Sequence, residues 1–294
     1  MLRRQPNARA VGLAFVVLAG LGSGGCKQTA SGPEAAYAVS LTELHTRAAG
    51  GRSDRAWQRQ TLEDALEGAT MFRLESEATV SVVAAVTERR DSDGIVLRLD
   101  MEMEVPPDLA GVLDELEASV EVARTQGDSA VREDLPLAAE RAAAVLDAKV
   151  QLARTPQVAD VFLRDPDAEI ALVALDWVEA QRVHESAPVV AQMLRHPDDR
   201  VMLRAVEVLG QVGTVAQVPE LIAAARLNDR AHTGRLYEAL AALGGPDAQG
   251  FLAFAARNED DPALARLAER AFDAAKSTVP RSKAPRTQGR RGHR

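Results

Sequence analysis

The sequence predicts a mainly α protein, a solenoid of stacked helical hairpins behind a small α+β module. Three observations carry that expectation. Asp167, Asp198, Asp229 and Asp260 follow one another at a constant step of 31 residues. Arg164, Arg195, Arg226 and Arg257 keep the same step, three residues upstream. A period of this size filled with apolar residues at helical spacing marks a stack of two-helix units. Ahead of it, between residues 72 and 105, apolar residues alternate with polar ones, the two-residue period of strands.

The chain begins with Arg3, Arg4 and Arg9, followed by an uncharged apolar stretch from Ala10 to Leu21. That stretch is too short for an ordinary membrane span and has the length of the apolar part of an export signal. It ends at Gly22-Ser23-Gly24-Gly25-Cys26, and Cys26 is the only cysteine, so no disulfide can form within the chain. A lone cysteine behind small residues and ahead of a polar stretch resembles the lipobox of bacterial lipoproteins, with Ser23 where that motif usually has leucine. The resemblance implies a signal peptide and lipobox over 1–26, a lipid on Cys26 and attachment to a membrane facing the periplasm or exterior. Buried acyl chains supply membrane affinity at about 0.8 kcal/mol per methylene. An ordinary cleaved signal and an uncleaved anchor are the alternatives.

Residues 27–39, small and polar with Pro33, are expected to form a flexible tether. The α+β module is expected over 40–125. Ser40-Leu41-Thr42-Glu43 has capping-box spacing, which predicts a short helix ending at Gly50-Gly51; a second helix is expected over Arg55–Glu67. Val80, Val82, Ala84 and Val86 form one strand, and Ile95, Leu97, Leu99, Met101, Met103 and Val105 its hairpin partner across Asp91-Ser92-Asp93-Gly94, with Phe72 and Leu74 as a third. A hairpin needs a cover. Leu109, Val112, Leu113, Leu116, Val120 and Ala123 fall on one helical stripe, which predicts a covering helix there. Gln126-Gly127-Asp128 is the expected break before the repeats, placed at 130–275.

Within the repeats, Ala174, Ala205, Leu236 and Leu267 coincide in phase. So do Val178, Leu209, Leu240 and Ala271, and Val190, Leu221 and Leu252. Each aspartate is expected to cap a first helix, and each arginine to end the helix before it, where the helix dipole favours a cation. Pro188, Pro219 and Gly250 are expected to open the second helices. His196-Pro197-Asp198-Asp199-Arg200-Val201 and Ala205 through Gly213, followed by Val218-Pro219-Glu220-Leu221, resemble a HEAT-like repeat of the bilin-lyase type. Weaker copies run over 165–195 and 227–257. The family often has arginine after the apolar residue that starts the helix, where this chain has Ala171 and Met202.

The resemblance implies a non-enzymatic scaffold for an unidentified protein partner; some bilin-lyase-type relatives assist covalent attachment to a protein, so an accessory subunit of a modifying enzyme is the alternative. No catalytic, cofactor-binding or metal-binding residues are expected. Gly20 to Gly25 match a dinucleotide-binding pattern by letter, but sit in the export signal rather than between a strand and a helix. HEAT-like hydroxylases bind metal through His-Glu pairs on successive repeats. The pair His184-Glu185 is followed, one step on, by Val215 and then by Pro246, which supply no ligand.

Two further ladders share the period: Arg204, Arg235 and Arg266, and Asp176, Glu207, Glu238 and Glu269. Arginine and glutamate three apart face the same side of a helix. They are expected to be an exposed face of weak ion pairs or, alternatively, a docking stripe for a charged partner. The chain has 35 basic and 43 acidic residues, a net charge of −8, and every acid lies between residues 31 and 275. So acidic a body disfavours nucleic acid. The seven basic residues from Lys276 onward predict a disordered basic tail over 276–294, the one feature that suits an anionic polymer or lipid.

Overall fold

The computed structural model describes residues 37–47, 54–91, 94–124, 131–225 and 230–278. Cys26 and the expected export signal, the basic residues beyond 278, Asp229, Arg226 and the expected break at 126–128 lie outside them.

The chain enters on β1 (Tyr37–Arg47), crosses through α1 (Arg55–Gly68) to β2 (Phe72–Leu74), and continues into β3 (Val80–Asp91), β4 (Gly94–Met103) and β5 (Glu117–Arg124). The five strands form one sheet in the order β2-β1-β3-β4-β5. β1 runs parallel to both of its neighbours, and β3, β4 and β5 are antiparallel. Asp54 starts α1 by accepting hydrogen bonds from the backbone N–H groups of Ala56 and Trp57.

One face of the sheet is apolar: Val82 and Ala84 on β3 stand opposite Met103 and Met101 on β4, and Leu99 stands opposite Val120 on β5. Its cover comes from Leu62 and Leu66 of α1 and from Leu135, Ala138, Ala142 and Leu146 of α2 (Val131–Arg154), all fully buried in one cluster.

Two expectations for the sheet region are corrected. Residues 40–47 are strand, and β1 begins at Tyr37, inside the segment expected to be tether. Val39 and Leu41 are buried in the sheet, and a bulge between Leu41 and Glu43 resets the alternation. Pairing with β3 thus overrides a local capping signal. The covering helix expected over 109–123 is instead a turn followed by β5. Ala118 and Val120 point inward while Glu117, Ser119 and Glu121 point out, a two-residue period overlooked beside a helical one. The cover is α2.

Helical pairs follow. The short α3 (Ala159–Phe162) precedes α4 (Ala168–Ala180), α5 (Ala187–Gln192), α6 (Asp199–Val212), α7 (Val218–Ala225), α8 (Arg230–Leu243), α9 (Gly245–Asn258) and α10 (Pro262–Ser277). First helices pack in series, α4 on α6 on α8 on α10, and α5, α7 and α9 fill the second layer. Ala174, Ala205 and Leu236, then Val178, Leu209 and Leu240, then Val190, Leu221 and Leu252 are all fully buried.

Asp167 and Asp198 cap α4 and α6 through the N–H groups of Glu169 and Arg200. The cap of α10 is Asp261 rather than Asp260, accepting from Ala263. Helix α9 opens at Gly245, with Pro246 in its first turn, and not at Gly250. Gly244 and Gly245, at φ 65° and 88°, turn the chain without an intervening loop, a backbone region costly for any other residue. Lys276 and Ser277, expected in the tail, are the end of α10.

Helix α2 belongs to both regions. Its first five turns cover the sheet, while Leu152 joins the core of the repeats, and Ile170 of α4 packs into the core of the sheet. The described residues accordingly belong to one compact unit.

Candidate functional site

The ladder of arginines and carboxylates lies on the first helices. Arg204 on α6 donates through Nε to Asp176 Oδ1 on α4 at 2.7 Å, through Nη2 to Glu179 on α4, and through Nη1 to Glu207 on its own helix at 3.2 Å. Glu207 in turn accepts from Arg235 Nη1 of α8 at 2.6 Å. One chain of charges therefore stitches three successive first helices together. Burial opposes the charge of Arg204, but Asp176 and Glu179 outweigh it and hold its pKa above the ordinary arginine value.

The ladder is graded. The side chain of Arg204 is 25% exposed and that of Arg235 53%, so Arg204 departs from the expected open stripe. Arg266, Glu238 and Glu269 are exposed, and among the described residues none of the three forms an ion pair. A second tie lies near the helix starts, where Arg200 bridges its own cap Asp198 at 3.0 Å and Glu169 of the previous first helix at 2.8 Å. Arg200 holds the carboxyl of Asp198 below its usual value. These arginines already have their counter-ions. A charged partner would have to displace internal carboxylates to use them, so the geometry makes Arg204 a staple between repeats.

His184 has a structural position: its Nδ1 lies 2.8 Å from the carbonyl of Val212, at the end of the next first helix. Among the described residues no three His, Cys, Asp or Glu side chains are grouped to hold a metal ion. Trp177 is buried in the core of the repeats with no partner for its indole N–H, and Trp57 lies under the guanidinium of Arg132 at 5.6 Å.

The second helices present a different surface, which sequence reasoning passed over. Val161 on α3 and Phe254 on α9 are 62% and 58% exposed, more than the other exposed large apolar residues Val112 and Leu137. The step of 31 links them through Gln192 and Ala223, both also exposed. The signal was present in the sequence, but the 31-residue step singles out charged ladders and buried positions more readily than a row that mixes valine, glutamine, alanine and phenylalanine.

A family model of HEAT repeats matches residues 155–233 and 189–273. Residues 155–273 are HEAT-like repeats. No curated protein matches the chain. The HEAT match begins just after α2 and ends inside α10, so the charge ladder and the exposed second-helix positions both lie within it. The sheet lies outside it. Among the described residues no helix is long and apolar enough to cross a membrane.

Proposed function

We propose that the protein is a non-enzymatic, lipid-anchored envelope scaffold that holds a protein partner on its HEAT-like repeats. The observation that carries this reading is the repeat match itself, because stacked helical pairs expose long, regular surfaces and HEAT repeats generally serve protein–protein contacts. The lone Cys26 between an apolar stretch and a polar one supports the anchor by thioether chemistry.

The two halves of the proposal separate experimentally. Metabolic labelling with an acyl-chain analogue marks wild type and leaves Cys26→Ser unlabelled; equal labelling of both removes the lipoprotein half. Affinity capture from detergent-solubilised envelopes then addresses the scaffold half, using chains with and without residues 279–294. A specific protein retained by both chains supports binding by the repeats. A partner lost with the tail, or nucleic acid in its place, transfers the function to the basic residues.

A further inference from the structure

We propose that the exposed face of the second helices is the docking surface, and that it takes an extended acidic segment of a partner protein with apolar residues between its carboxylates. The inference rests on the scaffold reading and adds to it the face and the chemistry of the partner. Val161, Gln192, Ala223 and Phe254 place one exposed, uncharged residue on each of α3, α5, α7 and α9. Ile222 and Phe251, half-buried beside them, widen the strip. The two large apolar members, Val161 and Phe254, stand at the ends of the row with Gln192 and Ala223 between them, and covering them removes apolar surface from water.

The border of the strip supplies the charge. Arg164, Arg195 and Arg257 lie three residues beyond Val161, Gln192 and Phe254, one helical turn away on the same side, and all three are exposed. Arg164 and Arg257 donate to the backbone carbonyls of Asp160 at 2.7 Å and Ala253 at 3.0 Å. Among the described residues none of the three is paired with a carboxylate. The contrast with Arg204 decides between the two faces: on the first helices Arg200, Arg204 and Arg235 are neutralised internally and Arg266 alone of that ladder is not, whereas on the second helices all three described arginines are available.

The spacing selects the shape of the occupant. Packed helices stand about 8–10 Å apart, and a polyproline-II segment brings every third residue back to one edge after about 9 Å. A carboxylate at every third position therefore meets Arg164 and Arg195 one repeat apart, and Arg257 two repeats further on, while the residues between rest on the strip. A nucleic acid or an anionic membrane offers negative charge too, but the apolar positions between the arginines suit apolar side chains rather than phosphates.

The probe is a labelled synthetic peptide with glutamate at every third position and alanine or leucine between, followed by fluorescence anisotropy on the full chain. Its counterpart has lysine for each glutamate. The acidic peptide should bind, the lysine peptide should not, and added salt should weaken the complex. Triple substitution R164Q/R195Q/R257Q should weaken binding about tenfold, the corresponding lysine triple should retain most of it, and circular dichroism should remain helical in both. Equal affinity for the two peptides, unchanged binding by the glutamine triple, or tighter binding to a DNA oligonucleotide or to anionic vesicles overturns the proposal.

A photoreactive amino acid placed in cells at Ala223, or on the other face at Glu238, separates this failure from failure of the scaffold reading. An adduct at Ala223 that disappears in the glutamine triple and is displaced by the acidic peptide supports the surface. Adducts at Glu238 alone refute the surface and leave the scaffold standing. Adducts at neither position refute both.

Discussion

Asp147 is the residue at which folding and titration meet. It lies on α2, is 8% exposed, and accepts the backbone N–H of Met71 at 2.7 Å and the amide of Gln151 at 2.8 Å, which ties the turn before β2 to the helix. Burial raises its pKa above 3.8, against the opposing effect of the Met71 N–H and the Gln151 amide. A carboxyl whose folded pKa is raised binds its proton more tightly in the native state. Its contribution is full at pH below the unfolded value and declines as pH rises through the folded one. Asp147→Asn retains an oxygen for Met71 but cannot ionise. Urea midpoints taken at a series of pH values should therefore show the variant gaining on wild type as pH rises from below 3.8 toward neutrality. Parallel pH profiles would show that the carboxyl titrates alike in both states. Asp147→Ala also strands the Met71 N–H, at a cost of about 1–3 kcal/mol.

At the scale of elements, the repeats were legible in the sequence because burial and period coincide: Leu209 and Leu240 share a phase and are both fully buried. Truncating either to alanine should cost about 2–5 kcal/mol in chemical denaturation; a loss of about half a kcal/mol at both, the range of surface sites, would refute the packing. The sheet was only half legible. β3 and β4 carry their own alternation, but β1 and β5 are strands through their neighbours. A capping pattern at Ser40 and a helical stripe through Leu116 and Val120 were locally as good as the strands that formed. The candidate stripe was found by period alone, and period does not reveal which arginines have counter-ions. That distinction needs the neighbouring helix. It predicts unequal mutants: Arg204→Ala leaves Asp176, Glu179 and Glu207 facing one another and should cost about 1 kcal/mol or more, whereas Arg266→Ala should stay within about half a kcal/mol. Equal effects of the two substitutions would mean that the ladder is solvated along its whole length.

The whole molecule turns on α2. A sheet beside a repeat array could unfold in two steps, but one helix contributes Leu146 to the core of the sheet and Leu152 to that of the repeats, and Ile170 returns the contact from α4. Neither core can lose α2 without exposing apolar surface in the other, which predicts a single cooperative transition. The two tryptophans allow a direct measurement, since Trp57 packs against the core of the sheet and Trp177 lies in that of the repeats. Trp177→Phe leaves a fluorophore reporting on the sheet, and Trp57→Phe leaves one reporting on the repeats. In each background the fluorescence midpoint in urea should coincide with the loss of helix seen by circular dichroism. Leu146→Ala, a cavity on the sheet side of α2, should then lower the midpoint of the distant Trp177 signal as far as that of Trp57. If instead Trp177 keeps its midpoint while Trp57 moves, the repeats fold without the sheet and α2 is a linker. Coincident shifts make the sheet the fixed end-plate of the array, one that holds the first repeat in register and so aligns the arginines of the second helices behind it.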